Sequence, residues 1–455
     1  MREIPMLTLV SRFLLASLLM GFALTCSAQS AKTPKHPVFA HYMVCFAAYG
    51  ENVEGYKREM REAQAAGIDG FALSEGAWHN EPHYVRRTQM LFQAATELGT
   101  DFKFIFSLDL ATLKPVYIPE ILKTYVTHPN YYQYQGRPLV STFSGQDGID
   151  WKDILGKLKA DGINICFLPF FYPRPNITER PSYPAVKEHF AKWNDTVDGY
   201  FYFGAAGTDE QLAACNASYV KAAREDKKLV MSSYTPFYWG AVQPGRRYFE
   251  TRGGFGVERQ WKSIIDTQPD FVEINTWNDF HESYLCPVEN LGKLQRFLAR
   301  PNRPCHAGYL ELSKYFIQWY KTGEQPKITK DGLFYVYRVY PKAALITPAK
   351  PVDGTTNVLD TGKPVTGLFG DVQDALYLTT MLTAPAELRV TSGGTESRHP
   401  MAKGYANIQV PFHVGAQHFA LYRNGKEVLT LDGEPIQAAP DHYNFFPVTG
   451  FVYAK

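Results

Sequence analysis

From Pro37 to about Glu282, short apolar runs alternate with stretches whose apolar residues recur at helical spacing. The runs are Val38–Val44, Ile68–Ser74, Phe102–Asp109, Pro138–Ser144, Ile163–Phe171, Val197–Gly204, Leu229–Thr235 and Phe271–Trp277. Between them the pattern predicts helices over Val53–Ala66, Pro82–Leu98, near Pro119–Thr127, and over Trp151–Ala160, Pro184–Trp193, Asp209–Asp226 and Val257–Thr267. The strand runs are continuous, not alternating, as expected where helices cover both faces of a parallel sheet. Eight such units in about 245 residues predict a (β/α)8 TIM barrel, with a doubly wound sheet as the alternative.

A further helix is predicted at Tyr309–Lys321, and the pattern changes near Gly323–Lys330. Beyond it, short strand-like segments appear at Leu333–Arg338, Ala375–Leu382, Glu387–Ser392, Ile408–Val414, His418–Arg423 and Glu427–Leu431. Gly393-Gly394, Asn424-Gly425 and Asp432-Gly433 punctuate them, and Asn-Gly between two strand runs is a hairpin signal. The expected organisation is α/β: a catalytic barrel over residues 37–325 followed by an all-β, sandwich-like domain over 331–455.

The first residues have a different character. Arg2 and Arg12 precede the apolar run Phe13–Leu24, which is shorter than the about 20 residues a membrane-spanning helix needs. Small residues follow up to Ala28, so residues 1–28 are expected to be a signal peptide and the mature protein to be exported, periplasmic or extracellular, without an integral membrane span. Acylation at Cys26 is the competing reading, but Ala23-Leu24-Thr25 is a poor lead-in for it. Five cysteines remain, widely spaced and without a zinc-type cluster. Cys286 and Cys305 either form one bridge or are free thiols.

Composition narrows the function. Lys plus Arg total 47 against 45 Asp plus Glu, which excludes the global basic field of a nucleic-acid binder. No phosphate loop, G-x-S-x-G elbow or H-E-x-x-H motif occurs, and neither a metal nor a cofactor is expected. The chain is rich in aromatic residues: 30 Phe, 29 Tyr and 7 Trp. Core filling explains most of them, whereas a few at strand ends could stack on sugar rings.

In a barrel the chemistry sits at the C-terminal ends of strands. Candidates there are His41 on strand one, Glu75 after strand two, Asp109 ending strand three, and Tyr234, Tyr238 and Trp239 at strand seven. Trp78 is a further stacking candidate, and Trp277, Asn278, Asp279, His281 and Glu282 follow strand eight. Glycoside hydrolysis needs one carboxylic acid to protonate the leaving oxygen and a second carboxylate on the other side of the bond. Asp279 and Glu282, three apart beyond a strand end, fit that need, with Trp277 as a stacking floor and Asn278 and His281 on hydroxyls. An ordinary acidic surface loop would carry the same pattern. His41 reads equally as a hydrogen-bonded core residue, Glu273 as a buried strand residue, and Asp69, at the opposite end of strand two, as structural.

Several stretches resemble glycoside hydrolase family 71, the α-1,3-glucanases or mutanases: FAHYMV at 39–44, AAGIDGFAL at 65–73, STFSG at 141–145, QPDFVEI at 268–274 and WNDFHES at 277–283. The tail adds Leu382-Thr383 and VTSGG at 390–394. The resemblance implies a bacterial member of that family: an inverting hydrolase of α-1,3-glucan or a related α-glucan, built as a barrel plus a C-terminal β-domain, without a metal. It places the catalytic pair on Asp279, as water-activating base, and Glu282, as acid, with the reverse assignment open, and makes Asp109 a sugar-binding residue. Departures at Ser74-Glu75-Gly76, Tyr202–Ala205 and His281 bear on the substrate, so a different polysaccharide such as a mannan, or non-catalytic carbohydrate binding, stays open.

Overall fold

The computed structural model describes residues 36–173, 180–240, 247–288, 305–345, 367–439 and 446–455. The expected signal segment, including Cys26, lies outside the described residues. Eight parallel strands make the central sheet: β1 (Val38–Met43), β2 (Gly70–Glu75), β3 (Lys103–Asp109), β4 (Arg137–Phe143), β5 (Cys166–Phe170), β6 (Gly199–Phe201), β7 (Leu229–Tyr234) and β8 (Phe271–Ile274). Helices α1 (Val53–Ala65), α2 (His83–Leu98), α3 (Ile118–Tyr125), α4 (Trp151–Ala160), α5 (Tyr183–Trp193), α6 (Asp209–Glu225) and α7 (Gly254–Thr267) follow β1 to β7 in turn. After β8 comes α8 (Ala307–Thr322).

Local chemistry sets these ends. The Asn52 side chain accepts the Gly55 N–H to start α1, and Thr208 with Gln211 forms a capping box on α6. α2 stops at Gly99, whose φ of +66° is left-handed.

The strands pair in the order β6–β7–β8–β1–β2–β3–β4–β5, all parallel, in a curled, TIM-like sheet. No ladder joins the two edge strands β5 and β6 among the described residues. β6 is only three residues long, and β5 contains Pro169, which has no N–H and suits an edge. Asp198, just before β6, bridges this seam: its N–H donates to the Phe167 carbonyl (3.0 Å) and its carboxylate accepts the Phe167 N–H (2.9 Å). The same carboxylate takes two bonds from the Arg137 guanidinium of β4, at 2.8 and 2.7 Å. At the N-terminal end of the sheet, Asp69 accepts the Val38 N–H (2.8 Å) and pairs with Lys321 (2.6 Å), a structural role.

Past α8 the strands are antiparallel. One four-stranded sheet comprises β9 (Gly332–Tyr337), β10 (Ala375–Leu382), β13 (Gly404–Pro411) and β16 (Val448–Tyr453), in the order β13–β10–β9–β16. The other comprises β11 (Ala386–Ser392), β12 (Thr395–Met401), β14 (Gly415–Arg423) and β15 (Lys426–Ile436), in the order β12–β11–β14–β15. Leu333, Leu376, Leu378, Leu388, Val390 and Phe419 fill the space between the sheets. The Asn424-Gly425 hairpin has φ of +53° and +76° at its two central residues, the left-handed pair a tight hairpin requires, with Arg423 facing Lys426.

β9 alternates between two cores. Leu333, Tyr335 and Tyr337 face the second sheet, whereas Phe334 and Val336 pack into the large core under the helices, joined by Met381 and Phe446. β12, TESRHPM, was not legible from its pattern because most of its side chains are exposed or half-exposed on an outer strand. Cys286 and Cys305 are both free, so the bridge considered between them is not formed. Among the described residues no helix is long and apolar enough to cross a membrane.

Candidate active site

The C-terminal ends of the parallel strands surround a cavity of about 290 Å3. His41 and Met43 of β1, Ser74 of β2, Asp109 of β3 and Phe143 of β4 line one side. Tyr172 and Phe203, just past β5 and β6, line another, and Tyr238, Arg247, Asp279 and Glu282 complete the wall.

The two acids sit on a tight hairpin after β8, in which Asn278 faces Tyr284 and Asp279 faces Ser283. The Asp279 N–H donates to Thr276 Oγ1 (2.7 Å), which itself donates to the Ser283 carbonyl (2.6 Å). Asp279 Oδ1 accepts the His281 N–H at 3.0 Å, and the Glu282 N–H donates to the Asp279 carbonyl at 3.1 Å. The turn is thus closed by bonds among its own residues, and both carboxylates line the same cavity. Glu282 Oε1 accepts the Tyr238 hydroxyl at 2.8 Å.

Two acids, Glu273 buried and Asp109 half-buried, support the floor. His41 Nδ1 lies 2.8 Å from Glu273 Oε1, both side chains buried, with the edge of the Phe203 ring against the imidazole. Burial pushes the Glu273 carboxyl up and the His41 contact pulls it back down. Burial also raises Asp109, opposed by the Ala111 N–H (3.1 Å), the Thr112 hydroxyl (3.2 Å) and His41 nearby. Among the described residues no group of three or more His, Cys, Asp and Glu side chains is placed to hold a metal ion.

Of the residues singled out in the sequence, His41, Asp109, Tyr238, Asp279 and Glu282 come together in the cavity. Seven others are placed elsewhere. Glu75 follows Ser74 on β2, so it points to the opposite face, where Thr88 of α2 donates to it at 2.5 Å; burial raises its carboxyl to about 8. Tyr234, also on a strand's outward face, packs on Trp261 of α7 at 5.2 Å. Trp239 is buried beside Tyr238 and alternates away from it, its N–H donating to the Glu282 carbonyl (3.0 Å).

Trp277 is no stacking floor: it is buried against Phe71 and its indole N–H donates to Glu59 of α1 at 2.9 Å. Asn278 is turned to the loop after β1, accepting the Met43 N–H (2.7 Å) and donating to the Met43 and Phe46 carbonyls. His281 sits edge-on to Phe46, 4.9 Å away. Trp78 is likewise buried, its indole donating to Glu120. Trp277 and Asn278 therefore anchor the acidic hairpin to α1 and to the end of β1.

Arg247 and Tyr172 escaped the sequence reading, and Phe203 entered it only within the departing stretch Tyr202–Ala205. Tyr172 and Phe203 follow strand ends directly, which is a usable signal. Arg247 had none, because it arrives through a short strand pair, Tyr238–Trp239 with Arg247–Phe249.

A family model described as Glycosyl hydrolase family 71 matches residues 34–455. A glucan endo-1,3-alpha-glucosidase of Schizosaccharomyces pombe is 26% identical over 438 residues, 91% of this chain and 94% of that protein. A mutanase of Penicillium rubens is 28% identical over 439 residues, 91% of this chain and 88% of that protein. Among solved structures, an endo-alpha-mannosidase from Bacteroides thetaiotaomicron aligns with a TM-score of 0.48 and 14% identity, over 64% of this chain and 99% of that one.

Proposed function

We propose, on the premise that this chain belongs to glycosyl hydrolase family 71 and is a glycoside hydrolase, that it cleaves α-1,3-glucan with inversion at the anomeric carbon. The observation that carries this reading is the pair Asp279 and Glu282, borne on one braced hairpin and lining one cavity. The substrate class comes from the relatives, which are named for endo-1,3-α-glucosidase and mutanase activity.

In this mechanism Glu282, protonated, gives its proton to the glycosidic oxygen as the C–O bond breaks. Asp279, ionised, takes a proton from the water that attacks the anomeric carbon from the opposite face. The products are a shortened chain and a β-anomeric reducing end. Room for that water requires carboxyls about 6.5–9.5 Å apart. Asp109 and His41, at the cavity floor, are assigned to sugar hydroxyls. Residues 1–28 are assigned as a signal peptide that exports the enzyme, a destination suited to a polymeric substrate, and residues 331–455 as a domain that braces the barrel portion at 37–325.

The test is incubation with a panel of α- and β-glucans and mannans, with product anomer followed by NMR. Release of β-anomer from α-1,3-glucan is expected, and Asp279→Asn and Glu282→Gln each lower kcat/KM on it by about 10²–10⁴-fold. On a glucan oligosaccharide carrying a fluoride leaving group, which needs no proton, Glu282→Gln recovers activity and Asp279→Asn does not. Activity confined to another polysaccharide would remove the substrate assignment; α-anomeric product would remove inversion.

A further inference from the structure

We propose that Tyr238 and Arg247 form a two-step donor relay that holds Glu282 in place and sets how tightly it keeps its proton. This rests on the reading of Glu282 as a reacting carboxyl. The Tyr238 hydroxyl donates to Glu282 Oε1 at 2.8 Å, and Arg247 Nη2 donates to that same hydroxyl at 3.2 Å. The Arg247 guanidinium carbon lies 5.6 Å from the Tyr238 ring centre.

Backbone bonds lock the parts together. The Trp239 N–H donates to the Glu282 carbonyl (3.0 Å), so the two-residue strand Tyr238–Trp239 grips both the main chain and the side chain of Glu282. That strand pairs antiparallel with Arg247–Phe249, and the Gly240 N–H donates to the Arg247 carbonyl (2.9 Å). Tyr238 itself is buried, and burial, together with the neighbouring Glu282, raises its phenol far above its ordinary value, with Arg247 opposing. It therefore stays protonated and remains a donor at every working pH.

The consequence for Glu282 is chemical. A hydrogen bond from a hydroxyl polarised by a guanidinium favours the ionised carboxylate, so the relay makes Glu282 a readier proton donor. Tyr238 and Arg247 are positioning residues, and Tyr238 works through its hydroxyl; its ring is not a stacking platform. Among the described residues, the other charged and titratable groups facing this cavity are His41 from β1, Asp109 from β3, Tyr172 past β5 and Asp279 on the same hairpin. His281 adjoins them in the hairpin turn.

The test is the pH profile of kcat/KM for Tyr238→Phe and Arg247→Met on a soluble α-1,3-gluco-oligosaccharide, with folding checked by thermal melting. Tyr238→Phe keeps the ring and removes only the hydroxyl. A shift of the basic limb upward by about one pH unit, with a fall in kcat and little change in KM, is expected. Arg247→Met is expected to move the same limb in the same direction by less. An upward shift of the acidic limb would support the relay and reverse the roles of Glu282 and Asp279. Limbs that stay in place in both folded variants would overturn the relay while leaving the two-acid mechanism intact.

Discussion

At the residue scale, the strand ends show why residue type alone does not locate a site. Ser74 and Glu75 are neighbours on β2, yet the serine reaches the cavity and the carboxylate is sealed against α2. Consecutive strand residues point to opposite faces, and nothing in the residue names says which face is the open one. Glu75 has a consequence for stability. Burial raises its carboxyl to about 8, with only the Thr88 hydroxyl opposing, against about 4.3 for a free glutamate. A carboxyl raised on folding contributes stability that is complete below its unfolded value and is lost as pH rises through its folded value. Thermal stability should therefore decline between about pH 4.5 and 8, and Glu75→Gln should flatten that decline while leaving the melting temperature near pH 4.5 unchanged. Glu59, also raised to about 8 by burial, keeps part of the slope, with Glu273, Glu250 and Asp109, which burial raises in the same direction. Melting curves across that range check this; equal slopes in the two proteins would refute it.

At the element scale, the alternation of apolar runs and helical stretches was enough to locate all eight parallel strands and the helices between them, because each unit buries its apolar surface in its own immediate layer. The pattern could not show the seam. β5 and β6 have no ladder between them among the described residues, and the polar link across the gap is Asp198, bound to the Phe167 N–H and to Arg137, beside the ring contacts of Phe170 with Phe201 and Phe203. Asp198→Ala leaves that N–H and the guanidinium without this partner, and a loss of about 2 kcal/mol is expected, discounted for the partial exposure of the pair. The urea-denaturation midpoint measures it, and an unchanged midpoint would mean the seam is held by packing and by the backbone bond of residue 198 to Phe167. The hairpin bearing Asp279 and Glu282 is a second case. Its motif is plain in the sequence, but its stiffness comes from Trp277 on Glu59 and Asn278 on Met43, partners more than 200 residues away.

At the scale of the whole molecule, β9 joins the two halves. Phe334 and Val336 belong to the core beneath the helices, while Leu333, Tyr335 and Tyr337 belong to the core between the β-sheets. Tyr405 donates to the Gly254 carbonyl and Asn407 to Glu258, tying β13 to α7, and the His306 ring, ahead of α8, meets the Pro447 carbonyl at 2.9 Å. A fragment ending at Lys330 should therefore expose an apolar face and lose cooperative melting. A soluble, sharply melting and active fragment would show the tail to be dispensable.

The sequence by itself determined the order and type of the eight parallel strands and their helices, the Asn-Gly turn, and two acids placed just past the last parallel strand, because periodicity, turn chemistry and a short motif are local properties. Only the tertiary structure decided which side chains meet in the cavity. Tyr238 was expected to stack and instead donates to Glu282; Arg247 was not foreseen; Trp277 and Asn278 turned from ligand contacts into anchors. Those outcomes depend on strand facing and on contacts between segments far apart in the chain, which no local pattern encodes.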